Sequence, residues 1–599
     1  MADAMAPPSE PNPAQPGEPT RPSAPLRSTF RSWLARILSR EDQLFLLLAV
    51  LIGIFSGLAV VAFRKSIDSV HLLLLGGSPH PSTLRVLLIP TVGGLAVALL
   101  AVHVFPLARG SGVNQTKSAV YVSDGYVPFR TVIGKFLMCS LAIGSGLSLG
   151  PEDPSLQMGA GIASALGRGM RLSQAKVRLI APVGAAAGLA AAFNAPISSV
   201  LFVIEEVIGT WSAGVLGAIV LAAVSSVVTM RAFLGSESLF HVPPFRISGA
   251  ADLLGYVVLG IVGGAASVLF LKWIERSRPA LQSLPAWTAN IQPAIAGLLV
   301  GFIGIWLPQV MGAGYPIIGQ ALHGEFAWKF LLLLAGMKIL ATGFSFLSGT
   351  PGGMFAPALF IGAMLGGAVK GVEQHYIPSM TGTTSAFALV GMGTFFAGFL
   401  RVPITSVFMV IEVSGDSSAI VPVMISGLVA YMISRRYQKA PLFDLLARQE
   451  GLLLPSIEEQ REETPPAVED AMEKGSALVI APGEPVAEVA RKAEANPSSV
   501  LLLRVSPGDW WLLDREDVQR LASDSANSSK AVRAKATGPL PCLFPDQPLE
   551  VALRWAQDWP VLPVVNRADL GKLEGVLTLP TILATFRQAP AEPATSLDF

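Results

Sequence analysis

Residues 42–434 are a long series of apolar stretches broken by glycine, proline and short polar turns. Stretches 43–63, 84–105 and 252–271 reach the ~20 residues that a helix needs to cross a bilayer. Stretches 197–208 and 403–413 are too short to cross and are bracketed by Gly and Pro. Helices broken in this way persist at membrane depth only when packed inside protein or lining a polar cavity. The pattern predicts one all-α, polytopic membrane domain over residues 41–447. It also contains a duplication. Residues 184–207 read GAAAGLAAAFNAPISSVLFVIEEV, and residues 391–414 read GMGTFFAGFLRVPITSVFMVIEVS. At one fixed offset Gly184 pairs with Gly391, Pro196 with Pro403, and Val203-Ile204-Glu205 with Val410-Ile411-Glu412. A repeated, Gly/Pro-broken segment predicts two related halves, about 41–240 and 250–447, with a substrate site between them near the midplane. The copies differ at one acid: the first has Glu206 where the second has Val413. An asymmetric carboxylate on a symmetric scaffold is a candidate for chemistry.

Outside this region the texture changes. Residues 1–40 begin rich in Pro, Ser, Glu and Ala, a composition that stays disordered. They end on a basic segment with Arg27, Arg31, Arg36 and Arg40. No apolar run follows a short basic start, so this is not a signal peptide. Basic residues return after the last apolar run as Arg435, Arg436 and Lys439. Positive charge at both flanks predicts that both termini are cytoplasmic, with an even number of crossings. Residues 448–466 form a charged linker. Beyond it, 467–525 and 526–590 alternate helix and strand character and predict two small α/β modules.

Composition narrows the function classes. The 599 residues are 51% hydrophobic and only 14% charged, against roughly 25% charged in soluble domains. A net charge of +1 gives no field that calls for nucleic acid. Cys139 and Cys542 lie far apart and imply no disulfide framework. His71, His80, His103, His241, His323 and His375 show no metal-ligand spacing, so no metal and no resident cofactor is expected.

Three glycine-broken motifs carry the candidate chemistry: Arg109-Gly110-Ser111-Gly112-Val113-Asn114, the run GSGLSLGPEDPSLQMGAG at 144–161, and SGTPGGMFAP at 348–357. Each places flexible backbone just before a helix start, where the first N–H groups are unpaired and the dipole is positive. Several such ends meeting at mid-membrane hold an anion without a full positive charge. A Lys or Arg in the pore would bind too tightly for release. Glu152, set between Pro151 and Pro154, is costly at this depth unless it is used.

These motifs resemble those of the CLC family of chloride channels and chloride/proton exchangers, over essentially all of residues 40–447. GSGVN stands for the family's GSGIP, GPEDP for GREGP, GMFAP for GxFxP, and Pro441-Leu442-Phe443 for PLY. The resemblance implies a CLC-type inverted repeat of broken, tilted helices. It implies that Ser111, Gly112 and the N–H groups of Met354 and Phe355 coordinate chloride, with Glu152 as gate and Glu206 as inner proton relay. It further implies a homodimer in the cell membrane that exchanges chloride for protons and is not an enzyme. A passive, voltage- or pH-gated chloride channel of the same fold is the second reading. Phe443 replaces the anion-coordinating Tyr and removes one hydroxyl donor. Asn114 replaces a Pro and offers a side-chain N-cap. Asp153 has two readings: an N-cap followed by Pro154 at N1 of its own helix, or a second carboxylate that acts on Glu152.

The C-terminal runs resemble a tandem pair of CBS modules, small βαββα units, carried by Leu562-Pro563-Val564-Val565 and Gly575-Val576-Leu577-Thr578. In that family a Thr or Ser followed three residues on by Asp grips adenosine ribose. Asp514 and Asp517 stand there in the first module, and Thr578 and Thr581 in the second, which lacks the acid. A purely structural, dimerising tail is the alternative to an adenine-nucleotide site.

Other charged residues read as structural. Glu205 and Glu412 match each other in the repeat and are expected to cap or pair within the fold. Lys135 and Lys338 are expected to pair with carboxylates or carbonyls, or to snorkel. Gly146-Leu147-Ser148-Leu149-Gly150 satisfies G-x-S-x-G, but a serine hydrolase needs a strand-to-helix elbow and a His base. The Gly-rich stretch lies between helical runs instead.

Overall fold

The computed structural model describes residues 41–588 apart from 78–81, 171, 210–212, 244–249, 378–381, 453, 455–465, 525–527 and 533–537. Residues 1–40, with their proline-rich and basic segments, lie outside the described residues, as does most of linker 448–466. The chain divides into two compact units, Met1–Glu458 and Glu459–Phe599.

The first unit is helical. Its first half runs α1 (Glu41–Leu74), α2 (Thr83–Leu99), α3 (Gly112–Tyr121), α4 (Phe129–Gly144), α5 (Glu152–Gly167), α6 (Gln174–Phe193), α7 (Pro196–Phe202) and α8 (Ala213–Leu234). The second half repeats that order as α9 (Ala250–Gln282), α10 (Gln292–Trp306), α11 (Tyr315–Leu322), α12 (Trp328–Leu347), α13 (Phe355–Tyr376), α14 (Thr384–Leu400), α15 (Pro403–Ser414) and α16 (Ile420–Tyr437). A last short helix, α17 (Leu442–Gln449), follows. Among the described residues, eight helices are long and apolar enough to cross a membrane.

The duplication seen in sequence governs the packing. α1 packs on α8 as α9 packs on α16, and α5 on α6 as α13 on α14. Glycine sets the closeness of these contacts. A Cβ on Gly184 would lie 2.1 Å from the Gly159 carbonyl oxygen, and one on its counterpart Gly391 would lie 2.3 Å from that of Gly362. Small residues let helix backbones touch where lipid supplies no hydrophobic drive. The caps repeat too. α6 and α14 each end in a non-glycine left-handed residue, Asn194 (φ 57°) and Arg401 (φ 58°). Arg401 then donates to the carbonyls of Ser434 (2.9 Å) and Gln438, which gives this buried cation its role.

The repeated acids tie the halves together. The Glu412 carboxylate accepts from the Ile197 amide (2.9 Å) and from the Ser198 amide (2.7 Å) and hydroxyl (2.5 Å) at the start of α7. The Glu205 carboxylate accepts from the Ile404 amide (3.4 Å) and from the Thr405 amide (2.8 Å) and hydroxyl (2.5 Å) at the start of α15. Each half caps the broken helix of the other, and Pro196 and Pro403 occupy N1 where no N–H is needed.

In the second unit, α18 (Val468–Ala471) precedes β1 (Ala477–Ile480), α19 (Val486–Ala495), β2 (Val500–Ser506), β3 (Asp509–Leu513) and α20 (Arg515–Ser523). β1 pairs parallel with β2, and β2 antiparallel with β3. α21 (Leu549–Trp555), β4 (Leu562–Val565), β5 (Leu573–Leu577) and α22 (Leu579–Gln588) follow, β4 and β5 being antiparallel. A parallel bridge from Leu543 to Val564 stands beside β4. α18 packs in the core of this second half, where Val468 meets Leu549, Leu562 and Ile582.

Candidate functional site

The three glycine-broken motifs converge. Gly150 and Gly353, one from each half, exchange backbone hydrogen bonds of 2.8 Å in both directions. This bridge sets the start of α5 beside the start of α13. A Cβ on Gly150 would lie 2.3 Å from Glu152 Oε2 and 3.2 Å from the Ala356 amide nitrogen, so the bare backbone leaves room for the carboxylate where it sits. Glu152, the first residue of α5, is fully buried, and its Oε2 accepts from the Ala356 amide in the first turn of α13 at 3.4 Å. Its Oε1 is buried with no partner among the described residues. A carboxylate with one long hydrogen bond and one orphan oxygen is weakly held where it sits. Met354 is the N-cap of α13 and Phe355 its first residue, both buried.

Ser111 is the N-cap of α3, and Gly112 its first residue. Gly110 (φ 77°) turns the chain into this start, and Lys135 holds the turn by donating to the Gly110 carbonyl at 2.6 Å. Lys338 likewise donates to carbonyls, those of Val310 (3.0 Å) and Gly312 (2.7 Å). Two sequence expectations need correction here. Asp153 does not cap its own helix, whose N-cap is Pro151. It lies inside the first turn, and its carboxylate reaches across to α3, accepting from the Ser111 hydroxyl (3.1 Å) and the Val113 amide (3.0 Å). Nor is Asn114 an N-cap. It sits in the first turn of α3 and donates from Nδ2 to the Phe443 carbonyl at 3.0 Å.

That bond draws α17 to the same place. The Phe443 ring is buried edge-on against Phe355 (6.1 Å between centroids) and Phe202 (6.2 Å), so an aromatic wall links α7, α13 and α17. A cavity of about 430 Å³ opens nearby, lined by Arg109, Gly110 and Gln115 on one side and Ser348, Gly349 and Thr350 on the other. Those residues belong to the motifs before α3 and α13 or, for Gln115, directly follow one. Arg278, which also lines it, pairs with Glu450 at 2.7 Å.

Glu206 lies apart from this centre, in a π-helical segment, Val203–Ile208, that continues α7. The second copy stays α-helical through Ser414, so the scaffold itself changes where the extra acid stands; π turns often mark functional positions. Glu206 is buried and paired with Lys117 at 2.8 Å, and Lys117 also pairs with Asp444 at 3.1 Å. Sequence reasoning missed Lys117 and Asp444. The available signal was a lone charge in each of two buried stretches, Asp444 directly after Phe443. Lys117 stands about 9 Å along α3 from Ser111, at 1.5 Å per residue. α3 and α17 therefore touch both the helix-end centre and the charged cluster.

Ser148 of the G-x-S-x-G stretch lies between α4 and α5, fully buried, with its hydroxyl on that of Thr342 at 2.9 Å. In the C-terminal unit Asp514 caps α20 by accepting from the Glu516 amide at 2.9 Å, and Asp517 pairs with Arg520. Chemically, the first unit presents helix N-termini suited to anions, together with buried carboxylates able to carry protons.

Comparison with known proteins bears on the whole first unit. A ClcB-like protein of Ralstonia nicotianae is 32% identical over 399 residues, which cover 65% of this chain and 92% of that one. The crystal structure of a slow cyanobacterial Cl⁻/H⁺ antiporter has the same fold, with a TM-score of 0.62 at 23% identity over 68% of this chain and 98% of that chain. A eukaryotic CLC transporter aligns with a TM-score of 0.59 at 20% identity, over 90% of this chain and 97% of that chain. The profile of the voltage gated chloride channel family matches residues 93–435. That match takes in more than half of the sequence, and the chain belongs to the voltage gated chloride channel family, as an integral membrane protein of CLC-type fold.

Proposed function

We propose that the protein moves chloride across a membrane in exchange for protons, with Glu152 as gate and Glu206 as inner proton relay. The observation that carries this reading is the position of the Glu152 carboxylate at the N-terminus of α13, beside Met354 and Phe355. A tethered anion at a helix end that suits free anions occupies their place until it moves. Ser111 and Gly112 at the start of α3 form the other side of the anion path, and Phe443 lines it without a hydroxyl. Glu206 supplies a proton stop away from that path, and Lys117 and Asp444 share its charge.

A passive chloride channel is the second reading, favoured by the same ion pair: a proton that reaches Glu206 must displace Lys117. The two separate in liposomes carrying purified protein. Glu152→Gln, a permanent mimic of the protonated gate, should pass chloride without carrying protons or responding to pH. Glu206→Val, copying Val413 of the second half, should spare chloride flux and abolish proton flux. Proton coupling that survives both changes would refute the assignment.

The C-terminal unit we take as a tandem CBS-like pair, 467–525 and 526–590, behind a membrane domain of two repeats. The β-α-β-β-α order of β1 to α20 supports this. We assign it a dimerising role; Asp514 and Asp517 are the acids an adenine nucleotide would meet there. The active form is then a homodimer in the cell membrane with both termini cytoplasmic.

A further inference from the structure

Two consecutive carboxylates at the start of α5 finish at the N-termini of two different helices. Glu152 turns to α13 and the Ala356 amide. Asp153 turns to α3, where Oδ2 accepts from the Ser111 hydroxyl and Oδ1 from the Val113 amide. Ser111, Val113 and Asp153 are 1%, 0% and 2% exposed, so water is excluded from these bonds. A Cβ on Gly112 would lie 2.6 Å from both the Asp153 carbonyl oxygen and its Oδ1, so a bare backbone there lets α3 close on the start of α5.

We propose that Asp153 is a second tethered anion that fills the α3 end of the anion path, and that a free anion gains the Ser111 hydroxyl and Val113 amide only when this carboxylate withdraws. The proposal rests on reading Ser111 as an anion donor, and it adds a residue that sets how tightly the site holds its substrate. Two physical facts require displacement rather than sharing. A serine hydroxyl has one proton to donate, so Ser111 cannot serve Asp153 and a free anion at once. Two negative charges within a few ångströms in a buried, low-dielectric place repel strongly. The cation on the adjoining α4, Lys135, attracts Asp153 but has its ammonium on the Gly110 carbonyl at 2.6 Å, which leaves the carboxylate tethered mainly by the α3 donors, the Ser111 hydroxyl with the Val113 and Gly112 amides. α5 therefore guards both helix ends, one with each of its first two side chains.

A purely structural cap makes a different prediction, and calorimetric chloride titration of the full-length protein separates the two. Asp153→Asn keeps the shape and an acceptor for Val113 but removes the charge; Asp153→Gly removes the group. Both should bind chloride at least about tenfold more tightly than wild type, since a regained hydrogen bond to a charged partner is worth that much. Ser111→Ala added to Asp153→Gly should erase the gain, because the freed donor is gone. Lowered thermal stability with an unchanged chloride Kd in both variants would make Asp153 a cap and overturn the proposal. If wild type moves chloride and neither Kd changes, this inference alone fails. If no variant binds chloride at all, Asp153→Gly included, the anion-site reading fails with it.

Discussion

At the scale of residues, the candidate site is made of neighbours whose side chains part company. Glu152 was legible because a carboxylate between two prolines in a glycine-rich membrane break has few structural uses. Asp153 was not, because its partner lies on another helix, 42 residues away in sequence; local pattern suggested a cap for its own helix or an action on the adjacent Glu152, both within α5. Lys117 and Asp444 were hidden for the same reason, being 327 residues apart. Phe443 shows what a missing atom does. Its ring packs edge-on against Phe355 at the start of α13, and its backbone is held by Asn114 from α3. Phe443→Tyr should tighten chloride binding about tenfold, the low end of what a hydrogen bond to a charged group contributes. Equal affinities by titration would mean that the ring edge does not face the anion.

At the scale of elements, the repeat was readable from Gly184, Pro196 and Glu205 with their counterparts, and so were the short broken helices that it predicts. Which half served which was not readable, since matching sequences reveal likeness and not contact. The exchange of Glu205 and Glu412 between α15 and α7 is the device that makes two broken helices affordable at membrane depth. Each carboxylate satisfies amides that proline-started helices leave exposed. Glu205 is 3% exposed and Glu412 is only partly buried, so the two caps are not equal. Removing either acid strands its donors, at about 1–3 kcal/mol for each buried one. Thermal unfolding in detergent should therefore show Glu205→Ala melting below Glu412→Ala, and both below wild type. A Glu205→Ala protein as stable as wild type would remove this bond from the account of the fold.

At the scale of the whole molecule, a symmetric scaffold carries asymmetric chemistry. The first half supplies Ser111, Lys117, Glu152, Asp153 and Glu206; the second supplies backbone amides at the start of α13, with Phe443 and Asp444 following on α17. Duplication explains how two helix ends come to face one place, through the Gly150–Gly353 bridge. Divergence explains why protons would use only one side: Val413 stands where Glu206 does, and the helix there keeps its α-helical pitch. Exchange of chloride for protons can be read in a single experiment. Purified protein in liposomes is given a tenfold chloride gradient, worth about 1.4 kcal/mol per ion, with chloride and pH electrodes read together. Chloride running down its gradient should drive protons the opposite way, against a small opposing pH step. Chloride flux with no accompanying proton movement would contradict it and leave a passive channel in its place.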